Sequence, residues 1–193
     1  MKLLLPSALG LAILLSSCGN MLDSMDESEI PDYTKNWLHN QHGEVLTFRS
    51  STGQVRTLTV ARKRHIRSGT NQIGKFEHEI INVWYRSGPD SLLNMALEAR
   101  ANYVHVSKGG DEFASFLTNK SDGRTMFYSR VGTSSSERIV AWDTTFSGQP
   151  YRYLGRVVVP PTAGADTVTA VYFSRYNGLI GFTTKRAGTW HRQ

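Results

Sequence analysis

The chain opens on an apolar run, Leu3 to Leu15, behind a single positive charge at Lys2; after it, polar and apolar positions alternate in short stretches separated by turn residues. An apolar run of this length behind a cation is too short for a permanent bilayer span and reads as a signal peptide over residues 1–17. Past residue 33 the dominant period is two. Glu44 to Phe48 sets Leu46 and Phe48 on one face, Ser50-Ser51-Thr52-Gly53 turns the chain, and Val55 to Ile66 continues that face with Leu58 and Val60. The pair predicts a hairpin. Lys75 to Tyr85, rich in aromatic and β-branched residues and bounded by Gly74 and Gly88-Pro89, predicts the next strand.

Ser91 to Val106 fits two templates. Leu92, Leu93, Ala96 and Leu97 would line a helix face, whereas Leu93, Met95, Leu97, Ala99, Ala101 and Tyr103 alternate as one long strand. Six consecutive matches at period two favour the strand, against the helix propensity of Ala, Leu, Met and Glu. Further strands are predicted over Glu112 to Leu117, Arg124 to Val131 after Asp122-Gly123, Ile139 to Trp142, Tyr153 to Val159 before Pro160-Pro161, and Val168 to Tyr176. Asn177-Gly178 then predicts a two-residue turn into Leu179 to Lys185, because both positions tolerate positive φ. The expected fold is mainly β: a single antiparallel meander sheet, curved into a barrel or half-barrel to cover its apolar face, with little helix outside the signal peptide.

At the end of the apolar run stands Leu15-Ser16-Ser17-Cys18, which resembles the lipobox of bacterial lipoproteins. The resemblance implies that the Cys18 thiol takes a diacylglycerol and becomes the first residue of the mature chain. Cys18 is the one cysteine in the sequence. Its lipidation leaves no thiol for disulfides, thiolate metal sites or nucleophilic catalysis. Gly19, where that family uses Asp for inner-membrane retention, implies an outer-membrane lipoprotein, facing the periplasm or the cell surface. Residues 18–32 carry Asp23, Asp26, Glu27 and Glu29 among serines and Pro31 and read as an acidic tether. The acidic run also resembles the export signals of surface lipoproteins in Bacteroidota, and a plain solvated linker accounts for it equally. Residues 33–193 are left for one β-rich domain.

The formal charge is +6 and is unevenly placed, acidic in the tether and basic in the domain. Arg62, Lys63, Arg64, His65 and Arg67 concentrate it. Such a run suits lipopolysaccharide phosphates, nucleic acid or an acidic glycan; a solvated strand end is the preferred reading, and nucleic acid is not an expected partner outside the cell.

Gly109-Gly110-Asp111-Glu112-Phe113 matches the signature of diguanylate cyclases. In that family the glycines leave room for GTP and the acidic pair serves metal-assisted phosphoryl transfer. The αβ alternation and the upstream aspartate of that family are missing here, and an export signal removes the chain from cytoplasmic GTP. The match is therefore read as coincidental, a Gly-Gly turn between Asn102 to Val106 and Glu112 to Leu117. His39, His42 and Glu44 offer three potential metal ligands within six residues, but without the helix that would present them to one ion they read as loop polars. His78, between Glu77 and Glu79, reads as a solvent-facing or cross-strand residue. Ser134-Ser135-Ser136 lacks a nucleophile elbow and reads as a loop. No catalytic, metal or cofactor-binding residue is assigned.

The closing stretch from Tyr172 to Phe182, with Gly188-Thr189-Trp190 after it, resembles the C-terminal hairpin of uncharacterised exported lipoproteins of Bacteroidota, which implies an address and a β fold without an activity. Asp followed by Ser or Thr at Ser24, Ser91, Thr144 and Thr167 resembles the O-glycosylation acceptor of exported proteins in the same group, and modification is expected only where these positions sit in exposed loops. The sequence thus points to a membrane-anchored lipoprotein with a non-enzymatic binding or scaffold role in the cell envelope, its ligand a lipid, a glycan or a protein. The alternative is a structural module of an envelope complex, and an enzyme is the remote one. A lined apolar cavity would favour a lipid carrier, and Trp84, Tyr85, Trp142, Tyr151 and Tyr153 are the first residues to inspect in it.

Overall fold

A computed structural model describes residues 27–70, 75–88, 93–108, 111–118, 126–131, 135–140, 142–159 and 167–193. Residues 1–17, expected as a signal peptide, Cys18, Ser24, Ser91, and Asp122-Gly123 and Pro160-Pro161, expected as turns, lie outside them. Fourteen strands form one sheet among these residues: β1 (Glu27–Ser28), β2 (Val45–Ser50), β3 (Val55–Thr70), β4 (Lys75–Ser87), β5 (Met95–Arg100), β6 (Tyr103–Lys108) and β7 (Asp111–Leu117) in the first half. The second half holds β8 (Met126–Val131), β9 (Ser135–Val140), β10 (Trp142–Phe146), β11 (Gln149–Val158), β12 (Val168–Ser174), β13 (Gly178–Thr184) and β14 (Gly188–Arg192). A short helix, α1 (Asp32–Lys35), runs directly into a 3-10 turn, Asn36–Leu38.

The sheet is an antiparallel meander curved into a half-barrel. Every strand from β2 to β14 pairs with its sequence neighbour except at one break, between β9 and β10, and the last strand, β14, returns to pair with β2. The register Trp190↔Ser50 and Arg192↔Phe48 thereby joins the last strand to β2. β11 comes into contact with β8 and β9, so the two ends of the sheet approach each other. β1 is the exception in direction, lying parallel to the start of β4.

Alternation places Leu46, Phe48, Leu58, Val60, Ile81, Val83 and Leu97 on the concave face, where they join Phe173, Phe182 and Trp190 in one continuous core. Trp190 stacks on Phe182 with ring centroids 5.4 Å apart and donates its indole N–H to the Thr184 hydroxyl at 3.3 Å. The N-terminal segment fills the same face. Ile30, Trp37 and Leu38 are at most 1 % exposed, and the Trp37 ring meets Phe116 edge-on at 5.2 Å. The end of the acidic stretch, residues 27–32, therefore belongs to the folded unit.

Two polar anchors hold this plug. Glu79 on β4, buried, accepts the Ile30 N–H at 2.9 Å and faces Lys35 at 3.4 Å and Arg64 at 2.6 Å. Arg62 on β3 donates to the carbonyls of Leu38 and Asn40 and so neutralises the open end of the 3-10 turn.

Several local expectations are corrected. The long strand expected over Ser91 to Val106 is a hairpin, β5–β6, because Ala101 takes φ +46° and turns the chain, with the Asn102 carbonyl capped by Thr118. Ser135 and Ser136 begin β9 rather than a loop, and the strand expected over Ile139 to Trp142 is divided between β9 and β10. The β12–β13 hairpin closes on a three-residue loop, Arg175 to Asn177, rather than a two-residue turn, with Ser174 opposite Gly178 at φ +67°. Gly109-Gly110, expected as a turn, lies outside the described residues; Lys108 and Asp111 on either side of it are paired, β6 with β7.

Candidate binding cleft

The β10–β11 hairpin shapes a site on the outside of the sheet. Ser147 and Gly148 both have positive φ, the requirement of a tight two-residue turn, and they bring Phe146 opposite Gln149. Phe146 then lies over Gly181 of β13, where a Cβ would collide with its ring, and packs on Tyr172 at 4.6 Å between ring centroids. Phe146, Leu154 and Ile180, with Tyr151 and Tyr172 against them, make a second, smaller apolar cluster apart from the core. A β-bulge sharpens the hairpin: Arg152 and Tyr153 together face Asp143, Tyr153 takes φ +52°, and its N–H is accepted by the Asp143 carboxylate at 3.2 Å.

Beside this cluster opens a cleft of about 720 Å³. Ile180 and Tyr151 give it an apolar floor and one aromatic ring, while carboxamides of Gln41, Gln149, Asn177 and Gln193 and the imidazoles of His39 and His191 line the rest. Its inner wall is an ion pair, Arg192 to Glu44 at 2.6 Å, which ties the last strand to the loop after the 3-10 turn. The second oxygen of Glu44 accepts the Gln41 N–H at 3.0 Å and the Asn40 carboxamide at 3.1 Å, and Arg192 also donates to the Asn177 carbonyl at 3.1 Å. Partial burial pushes the Glu44 carboxyl upward, but these hydrogen bonds and the Arg192 charge outweigh it and hold the group below the ordinary glutamate value. Glu44 is thus a fixed acceptor, charged at neutral pH.

Behind this wall Asn40 is wholly buried and organises three elements. Its carboxamide oxygen accepts the Tyr85 hydroxyl at 2.9 Å and the Leu179 N–H at 3.1 Å, and it occupies the space that a Cβ on Gly178 would need. Burial pushes the Tyr85 hydroxyl well above the ordinary phenol value, so it stays a donor. The cleft wall is therefore preorganised from inside the core.

The residues singled out from sequence separate in space. Tyr151 lies in the cleft; Trp84 lines a smaller hollow of about 290 Å³ with Arg86, Asn94 and Met95 at β4 and β5. Tyr85 is in the core, and Tyr153 packs against it while the Arg175 guanidinium lies 5.2 Å from its ring and 5.5 Å from that of Tyr176. The Trp142 side chain lies outside the described residues. His39 and Glu44 meet the cleft, whereas His42 turns away to accept the Arg62 N–H at 3.2 Å. Among the described residues no group of three or more His, Cys, Asp or Glu side chains gathers around a point. His78 stacks on Phe76 at 4.8 Å, on the opposite face from Glu79. Of the acceptor-like threonines, Thr144 is half-buried in β10 and Thr167 is buried, with its carbonyl bonded to the Lys185 N–H.

Sequence reasoning missed Gln149, Asn177, His191 and Arg192 as a group. Ser147-Gly148 was a legible turn signal, but the return of β14 to β2 that brings Arg192 to Glu44 spans the length of the domain and leaves no local trace. No protein-family model matches the chain, and no curated protein or solved structure is a match for it.

Proposed function

We propose that this chain is a lipoprotein anchored to the outer membrane through Cys18, with a non-enzymatic binding role, and that its ligand is a glycan seated in the cleft between the β10–β11 hairpin and the end of β14. The carrying observation is the composition of that cleft: four carboxamides and two imidazoles around one half-buried aromatic ring, against a wall whose ion pair is already satisfied. Carboxamides donate and accept at once, as hydroxyl-rich ligands require, and the Tyr151 ring offers an apolar face to the carbon side of a sugar. A lipid ligand is less well supported, because the apolar concave face is covered by Ile30, Trp37 and Leu38 of the chain itself.

The test is calorimetric titration with oligosaccharide fractions released from the envelope of the producing cell. Binding by the wild type that falls at least about tenfold in both Tyr151→Ala and Gln149→Ala supports the reading. No fraction binding, or binding indifferent to both substitutions, overturns it.

A further inference from the structure

We propose that the outer face of the β3–β4 arm is a second membrane contact, docking on the anionic phosphate headgroups of the bilayer that holds the Cys18 lipid; the proposal rests on that anchoring. β3 and β4 run together for far longer than their neighbours. β2 covers β3 only as far as Thr59, and β5 covers β4 only from Ile80, so Ile66 to Thr70 and Lys75 to Glu79 extend beyond these neighbours as an arm, flanked by the two-residue β1 alone among the described strands.

The register divides the arm's charges between its faces. On the inner side Arg64 pairs with Glu79 and Arg62 with the carbonyls of the plug, and Glu77 shares that face with Lys75. On the outer side Lys63, His65 and Arg67 are cross-strand neighbours of Asn82, Ile80 and His78, and Phe76 covers Gly69. Arg100 is the cross-strand neighbour of Ile80 on the same face and is paired with Glu98. Lys63 and Arg67, both exposed, leave this face net positive, with the Phe76 ring beside them.

Where the chain enters gives the occupant. β1 pairs parallel with β4 at Glu27↔Glu77 and Ser28↔His78, so the chain reaches β1 from the side of the arm's tip. Eight residues lie between Cys18 and Glu27, a span of nine Cα–Cα steps. Even fully extended they reach only about 30 Å. A lipid on Cys18 therefore keeps the arm within that distance of the headgroups, where cations are drawn to anionic phosphates. Two cations on a short tether add to an acyl anchor without replacing it.

The chain with Cys18→Ser, purified without lipid, isolates the arm. Its sedimentation with vesicles of phosphatidylcholine and with an equimolar mixture of phosphatidylcholine and phosphatidylglycerol is compared at low and high salt. The expected result is binding to the mixed vesicles that high salt abolishes and that Lys63→Glu with Arg67→Glu lowers about tenfold or more, with Lys63→Gln and Arg67→Gln intermediate. Arg156→Glu with Lys185→Glu, reversing exposed charges elsewhere, leaves it unchanged. Equal binding to both vesicles, or equal loss from the control pair, overturns the proposal. Lipid on Cys18 of the wild type, read by mass spectrometry, tests the anchoring separately.

Discussion

The Asn40 carboxamide oxygen accepts the Tyr85 hydroxyl at 2.9 Å where neither side chain touches solvent, and the same oxygen takes the Leu179 N–H. One side chain from the segment before β2 thus satisfies two donors from opposite halves of the meander. Asn40→Ala strands both donors and removes one of the two hydrogen bonds to the second Glu44 oxygen, and should cost about 2–4 kcal/mol. Tyr85→Phe leaves Asn40 bonded to Leu179 and should cost about 1 kcal/mol. Urea unfolding of the two variants checks the inequality; a costlier Tyr85→Phe would refute it.

Gly178 shows the same contact from the other side. Its φ of +67° and the Asn40 oxygen in the place of a Cβ make Gly178→Ala doubly unfavourable. A loss of about 2–3 kcal/mol is expected. Gly53→Ala, also at positive φ but with open space around it, should lose only about 1 kcal/mol. Equal losses in the two variants would remove the steric part of the account.

The strands were legible because period-two alternation survives wherever one face meets the core, as at Leu46, Phe48, Leu58 and Val60. The hairpin over Ser91 to Val106 was hidden because its turn uses Ala101, which carries no turn signature, and because Leu93 to Tyr103 alternates straight through it. The plug was hidden for a different reason. Ile30, Trp37 and Leu38 are three apolar residues in a polar stretch, too few for a periodic pattern, and only the concave sheet gives them somewhere to go. The cleft could not be foreseen, since its wall joins Glu44 to Arg192 across 148 positions.

The plug should contribute heavily to stability. Trp37→Ala removes a fully buried ring from against Phe116 and should cost about 3–5 kcal/mol. Tyr33→Ala, one turn earlier and partly exposed, should cost less than half of that. Thermal unfolding of both variants decides; similar melting temperatures would show that the plug is not part of the cooperative unit.

Glu79 should make that unit sensitive to acid. Its burial raises the carboxyl, but the Ile30 N–H, Lys35 and Arg64 outweigh this and hold it below the ordinary value of 4.5. A group depressed in the folded state contributes stability that is complete above its unfolded value and is lost as pH falls through the folded one. Melting temperature should therefore be level near neutrality and fall below about pH 4.5. Glu79→Gln should start about 1–3 kcal/mol less stable at pH 7 and decline less steeply on acidification. Parallel acid profiles for the two proteins would show that other carboxylates govern the loss.

The anchor itself is tested at Cys18. In cells, Cys18→Ser should leave a chain without diacylglycerol, and that chain should be recovered in the soluble fraction after a high-salt wash, whereas the wild type stays with the membrane. The wash matters because two exposed cations on the β3–β4 arm give only a weak, salt-screened attraction to anionic headgroups, while an acyl anchor depends on buried methylenes and ignores salt. Salt therefore separates the two attachments. Unlipidated mutant that resists the wash would refute anchoring through Cys18. Release without salt would leave the anchor intact and put the arm's attraction below what the cell membrane can register.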